Sequence, residues 1–172
     1  MTTTHETATT ATAETETLLE ALATQRFFLR HTVRDLTDEQ AGRRTTASEL
    51  CLGGLIKHVA TVESAWMDFV VDGTDTVATG GGNWEEQFRM LAGETLADVL
   101  AGYEEAARRT EEIVRGLSDL GVSRPLPEAP WFKPGERWSA RRVLIHILAE
   151  TAQHAGHADI IRESLDGAKT MG

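Results

Sequence analysis

The sequence predicts an all-α protein, a four-helix bundle with two long connections. Apolar residues recur at helical steps over four stretches of roughly 20 to 28 residues. No stretch shows the alternation of a half-buried strand. The segments 73–93 and 118–138 carry the glycines and prolines that interrupt helices. Connections of that length can cross a bundle end to end, so a simple up-down-up-down order is not required. The 172 residues suit one domain, expected over 14–167, with no second domain and no internal repeat. A disordered Thr/Ala-rich tail is expected over 1–13 and a short C-terminal tail over 168–172.

The first helix is expected from Glu14, because Leu19, Leu22, Leu29, Val33 and Leu36 recur at steps of three, four and seven. Thr37-Asp38-Glu39-Gln40 and Gly42-Arg43-Arg44 break that pattern. Thr46-x-x-Glu49 has the form of a capping box and is expected to open the second helix, which stops at Asp72-Gly73. The third helix is expected from Thr95 to about Leu117. Ser139 is the expected N-cap of the fourth, which ends at Asp166-Gly167.

Composition narrows the partners. Seventeen Lys and Arg against 27 Asp and Glu give a net charge of −10, which repels phosphate backbones and anionic lipid. Nucleic acid and membrane are therefore not expected as partners. One cysteine, Cys51, leaves no internal disulfide and fits a reducing cytoplasm. No apolar run has the roughly 18 residues of a membrane span, and the N-terminus lacks a signal-peptide h-region.

Two helices carry polar residues where their core faces demand apolar ones. In the second, Cys51, Leu55, His58, Val62, Ala65 and Phe69 lie within an arc of about 60°. His58 alone is strongly polar. In the fourth, Val143, Ile147, Glu150, His154, His157 and Ile161 form a matching seam with a Glu-His-His middle. Burying such groups costs several kcal/mol unless they are paired. A divalent cation would compensate, taking neutral imidazoles and a carboxylate as ligands. Glu150 and His154 stand on adjacent turns of one helix face, and His58 would come from a facing helix. Three protein ligands leave an open position, the catalytic type of site. The residues equally allow a hydrogen-bonded core histidine at 58 and a surface ion pair at 150 and 154.

The stretch Gly54-Leu55-Ile56-Lys57-His58 through Trp66 resembles the second-helix signature of the DinB/YfiT-like superfamily. Trp138-Ser139 through His146, Glu150, His154-Ala155-Gly156-His157 and Asp159 resembles its fourth-helix signature. The branch looks like the N-terminal metal-binding domain of mycothiol-dependent maleylpyruvate isomerases, with a resemblance over roughly 14–167. The broad superfamily uses three histidines. Here Glu150 replaces the earlier of the paired two, which looks like the His/Glu/His set of that branch. The resemblance implies metal ligation by His58, Glu150 and His154, with His157 behind them or serving as a substrate-facing base. It implies a divalent metal, Zn²⁺ first and Ni²⁺ or Fe²⁺ as alternatives, in a homodimeric enzyme acting on a small molecule. The reaction implied is a transferase or isomerase step using mycothiol or a similar low-molecular-weight thiol. The alternative is a non-catalytic metal- or ligand-binding bundle.

Other residues have simpler readings. Cys51 is expected as a small core filler, and Trp66 as core. His146 is expected to cap the core rather than reach the site. Trp84, Trp131, Phe132 and Trp138 are expected to pack under loops, with a roof over an apolar pocket as the other reading. Arg26 would meet either a substrate carboxylate or a neighbouring acid. Gly80-Gly81-Gly82 reads as a flexible linker, and Arg141 and Arg142 as surface residues.

Overall fold

The computed structural model describes residues 3–73, 75, 77 and 84–170, the side chains of 3–12, 84 and 85 excepted. Four long helices form the bundle: α1 (Thr3–His31), α3 (Leu52–Asp72), α5 (Leu96–Gly116) and α6 (Ala140–Asp166). Two one-turn helices, α2 (Asp38–Ala41) and α4 (Trp84–Gln87), lie in the connections. A short antiparallel pair, β1 (Ser123–Pro125) and β2 (Arg137–Ser139), sets Arg124 opposite Trp138 and leads into α6. The linker Gly80-Gly81-Gly82 and the side chain of Trp84 lie outside the described residues.

The helix ends follow capping chemistry. Thr95 and Ser139 cap α5 and α6, their side chains accepting from the amides of Asp98 and Arg142. Gly73 and Gly167 end α3 and α6 in the left-handed region, at φ 78° and 79°. The N-terminus of α3 differs from expectation. It starts at Leu52, behind Cys51 in an extended conformation, and not at Thr46. Thr46 Oγ1 is engaged with Ser48 Oγ at 2.9 Å, and the Glu49 carboxylate pairs with Arg44 and Arg89. Neither half of the expected capping box is made. The box occurs instead at Thr37 and Gln40, opening α2 where the sequence pattern shows only a break. Backbone helix in α1 begins ahead of Glu14, over the stretch expected as a tail, and no Gly or Pro interrupts it.

Around the bundle, α6 packs on α1 and α3, and α3 also packs on α5. Ion pairs Arg115–Glu16 and Arg26–Glu111 tie α5 to α1. Hence α1 and α3 stand diagonally, and the first connection crosses the bundle. Two apolar clusters fill it. One gathers Leu22, Met67, Phe69, Val143 and Ile147; the other gathers Leu29, Leu55, Val59, Tyr103 and Ile161. Between them runs a buried polar level that includes Arg26, His58, Glu63, Thr151 and His154. Both inward faces therefore turn polar at mid-height, as their seams indicate. Among the described residues, no helix is long and apolar enough to cross a membrane.

Candidate metal centre

The polar level divides into two parts with different chemistry. On one side Arg26 and Glu63, both buried, form a two-point ion pair across the diagonal, with Arg26 Nε donating to Glu63 Oε2 at 3.3 Å and Nη2 to Oε1. This resolves Arg26: its partner is an acid of the same chain. The pairing matters energetically, because either charge alone at this depth would be strongly destabilising.

On the other side His58, Glu150 and His154 converge. Each offers one ligand atom, and those atoms all lie within 4.8 Å of one another. His154 Nε2 is 3.6 Å from Glu150 Oε2, and the rings of His58 and His154 meet edge-on at 5.0 Å. α3 and α6 pack directly, so residues midway along each helix face each other. The i, i+4 spacing then sets Glu150 and His154 on one face of α6.

The electrostatics suit a cation. Burial, reinforced by neighbouring His154, pushes the pKa of His58 down to about 4, so its ring is neutral at physiological pH. Its Nδ1 lies 3.2 Å from Gln87 Oε1. An amide oxygen only accepts, so Nδ1 carries the hydrogen and Nε2 keeps its lone pair. A hydrogen bond at one ring nitrogen, fixing the tautomer, is the usual support of a metal-bound histidine. Glu150 is held below the usual carboxylate range, chiefly by His154, whose Nε2 lies 3.6 Å from it. Two imidazoles and a carboxylate in one 4.8 Å cluster match the donor set of Zn²⁺, Ni²⁺ or Fe²⁺.

His157 belongs to the same cluster from behind. Its Nδ1 is 3.4 Å from His154 Nδ1, the ring nitrogen opposite the one that faces Glu150. It is not among the described residues lining the adjoining cavity.

That cavity, of about 210 Å³, opens against His58, Gln87 and Glu150. Its walls are Trp66, Phe132, Trp138, His146 and the aliphatic Val62, with Trp131 at the rim, 65% exposed. Trp66 and Trp138 stack at 4.7 Å and 10°, and Arg142 lies 4.1 Å from the centre of the Trp138 ring. Two expectations change here. The aromatic residues of 131, 132 and 138 do more than pack under a loop, because β2 and its hairpin carry them over the site. His146 does not cap the core; its ring meets Trp66 and Trp138 edge-on, at 4.9 and 5.2 Å, within the cavity wall. One turn of helix separates it from Glu150 on the same side of α6, which is the signal in its spacing.

Gln87 was not foreseeable from periodicity, since it lies in the four residues of α4 and reaches His58 across 29 positions. Gly54 helps to place it. A Cβ there would sit 2.0 Å from the carbonyl oxygen of Phe88, so only glycine lets this backbone dock against the first turns of α3. Phe88 then stacks on His58 at 4.1 Å. Cys51 is buried at the α3 N-cap, as a filler would be.

No curated protein matches this sequence. The fold matches the crystal structure of a conserved protein from Enterococcus faecalis, with a TM-score of 0.68 at 13% identity, over 90% of this chain and 98% of that one. Residues 17–167 match the family model described as mycothiol-S-transferase. That match takes in both seam helices and all three converging side chains, and the chain belongs to the mycothiol-S-transferase family, a DinB-like family of transferases.

Proposed function

We propose that the protein is a divalent-metal-dependent transferase that joins the sulfur of a low-molecular-weight thiol, mycothiol by its family, to an electrophilic small molecule. The observation that carries this reading is the convergence of His58, Glu150 and His154 at the edge of a cavity rather than inside a closed core. These three residues would hold the ion, and Zn²⁺ suits them best. A bound divalent ion supplies Lewis acidity that favours thiolate over thiol near neutral pH.

The remaining work falls to the chain. Gln87 keeps His58 in the tautomer whose Nε2 faces the site. His157 backs His154, which makes it a positioning residue, while Glu150 supplies the compensating negative charge. The aromatic walls exclude water from the electrophile and hold it beside the cluster. The thiol S–H bond breaks first, and the S–C bond then forms as the electrophile's leaving group departs, or as its double bond or strained ring opens and takes up a proton. His58 and His154 are too buried to carry the thiol proton out. Solvent at the cavity mouth is the route.

The test is a conjugation assay with mycothiol and a panel of electrophiles, on Zn²⁺-loaded and metal-stripped protein. The reading expects turnover that needs both thiol and metal, and a loss of at least about 100-fold in His58→Ala. Turnover independent of metal and thiol across the panel would contradict it and favour a non-catalytic bundle.

A further inference from the structure

The cavity beside the cluster also specifies what it holds. We infer that its ligand is an uncharged molecule built on a single flat aromatic ring, bound in the cavity that Trp66, Phe132, Trp138 and His146 line together. Calling this ligand the acceptor of thiol transfer rests on the proposed function; its binding does not.

Three observations lead to this class. The first is size. A cavity of about 150 Å³ accommodates benzene, so about 210 Å³ takes one ring with a small substituent. The second is wall chemistry. Phe132 stands edge-on to both indoles, at 5.9 Å from Trp138 and 6.3 Å from Trp66. A ring in the cavity beside them would meet these side chains in the edge-to-face and offset geometries that aromatic pairs prefer. Trp138 is fixed by Trp66 on its face, by Arg142, and by its Nε1 donating to Glu136 Oε1 at 2.9 Å. The third is charge. Among the described lining residues there is no Lys or Arg, and Glu150 is a carboxylate. In the metal-free chain an anionic ligand would meet repulsion from Glu150, with no cation among the described lining residues to pair with. A quaternary ammonium is disfavoured as well, since Trp66 and Arg142 already occupy Trp138.

The experiment uses the metal-free full chain, so that no metal or thiol chemistry enters. Benzyl alcohol, cyclohexylmethanol and benzoate are titrated while the indole N–H resonances are followed by NMR. Benzyl alcohol is expected to shift the Trp66 and Trp138 signals and to bind about three- to tenfold more tightly than cyclohexylmethanol. Benzoate is expected to bind at least tenfold more weakly than benzyl alcohol. Ala65→Phe, which fills the cavity from α3, is expected to abolish the shifts. Trp131→Ala, at the exposed rim, keeps the fold and is expected to weaken binding modestly. Equal binding of the saturated ring, tighter binding of benzoate, or unchanged shifts in Ala65→Phe would each overturn the inference. Arene binding with no thiol conjugation in the assay above would sink the transferase reading and leave this one standing.

Discussion

At the scale of single residues, the centre is a problem of unpaired polar groups solved in two ways. Arg26 and Glu63 solve it by pairing. Removing Arg26 leaves the fully buried Glu63 carboxylate without that partner, so Arg26→Met is expected to cost about 3–5 kcal/mol, and Arg26→Met with Glu63→Leu together distinctly less. Urea unfolding of the two variants measures the difference. His58 solves it by staying neutral. Its pKa is about 4 in the folded chain against an ordinary 6.5, so the unfolded chain binds the extra proton first. The contribution of His58 to the stability of metal-free protein is thus complete above pH 6.5 and is lost as pH falls towards about 4. A Tm series across pH 4–7 is expected to flatten in His58→Gln; an unchanged slope would contradict the assignment. Gln87→Ala frees the ring to change tautomer and is expected to weaken Zn²⁺ binding about 10- to 100-fold with little change in Tm, read by competition with a chelating dye.

At the scale of elements, legibility depended on whether the deciding contact was local. The caps at Thr95, Ser139, Gly73 and Gly167 act within a turn, and their residue types announce them. The box at Thr46 misled because the carboxylate it needs is drawn to Arg44 and Arg89, a competition no local pattern records. Strands of three residues are too short for alternation to register, so β1 and β2 passed unseen, and with them the placement of Trp138 over the site. The three ligand positions were legible because a polar residue on an apolar seam is anomalous at helical spacing. Gln87 sits in one turn of helix and breaks no seam. Its docking predicts a difference between neighbouring glycines. Gly54→Ala meets the Phe88 backbone and is expected to cost about 1–3 kcal/mol and to weaken metal binding by displacing Gln87. A Cβ at Gly53 crowds the Met90 side chain and touches the Ala41 carbonyl at an ordinary 3.5 Å, so Gly53→Ala should cost less. Thermal melts with and without Zn²⁺ distinguish the two.

At the scale of the whole molecule, the bundle works as two apolar cores with a polar waist. The diagonal arrangement of α1 and α3 brings α3 and α6 together, and that contact unites residues 92 positions apart in the sequence, His58 and Glu150. An ion bound at the waist would tie the two cores through one point, so metal should stabilise the chain as a unit. Adding Zn²⁺ to metal-free protein is expected to raise Tm, with the rise growing with concentration and vanishing in His154→Ala. Crystals grown from untagged protein with one equivalent of Zn²⁺, recorded at the zinc absorption edge, test the central claim most directly. The account predicts a single anomalous peak about 2.0–2.2 Å from His58 Nε2, His154 Nε2 and a Glu150 oxygen. Zinc found only elsewhere on the chain, with those three side chains bearing none, would contradict it.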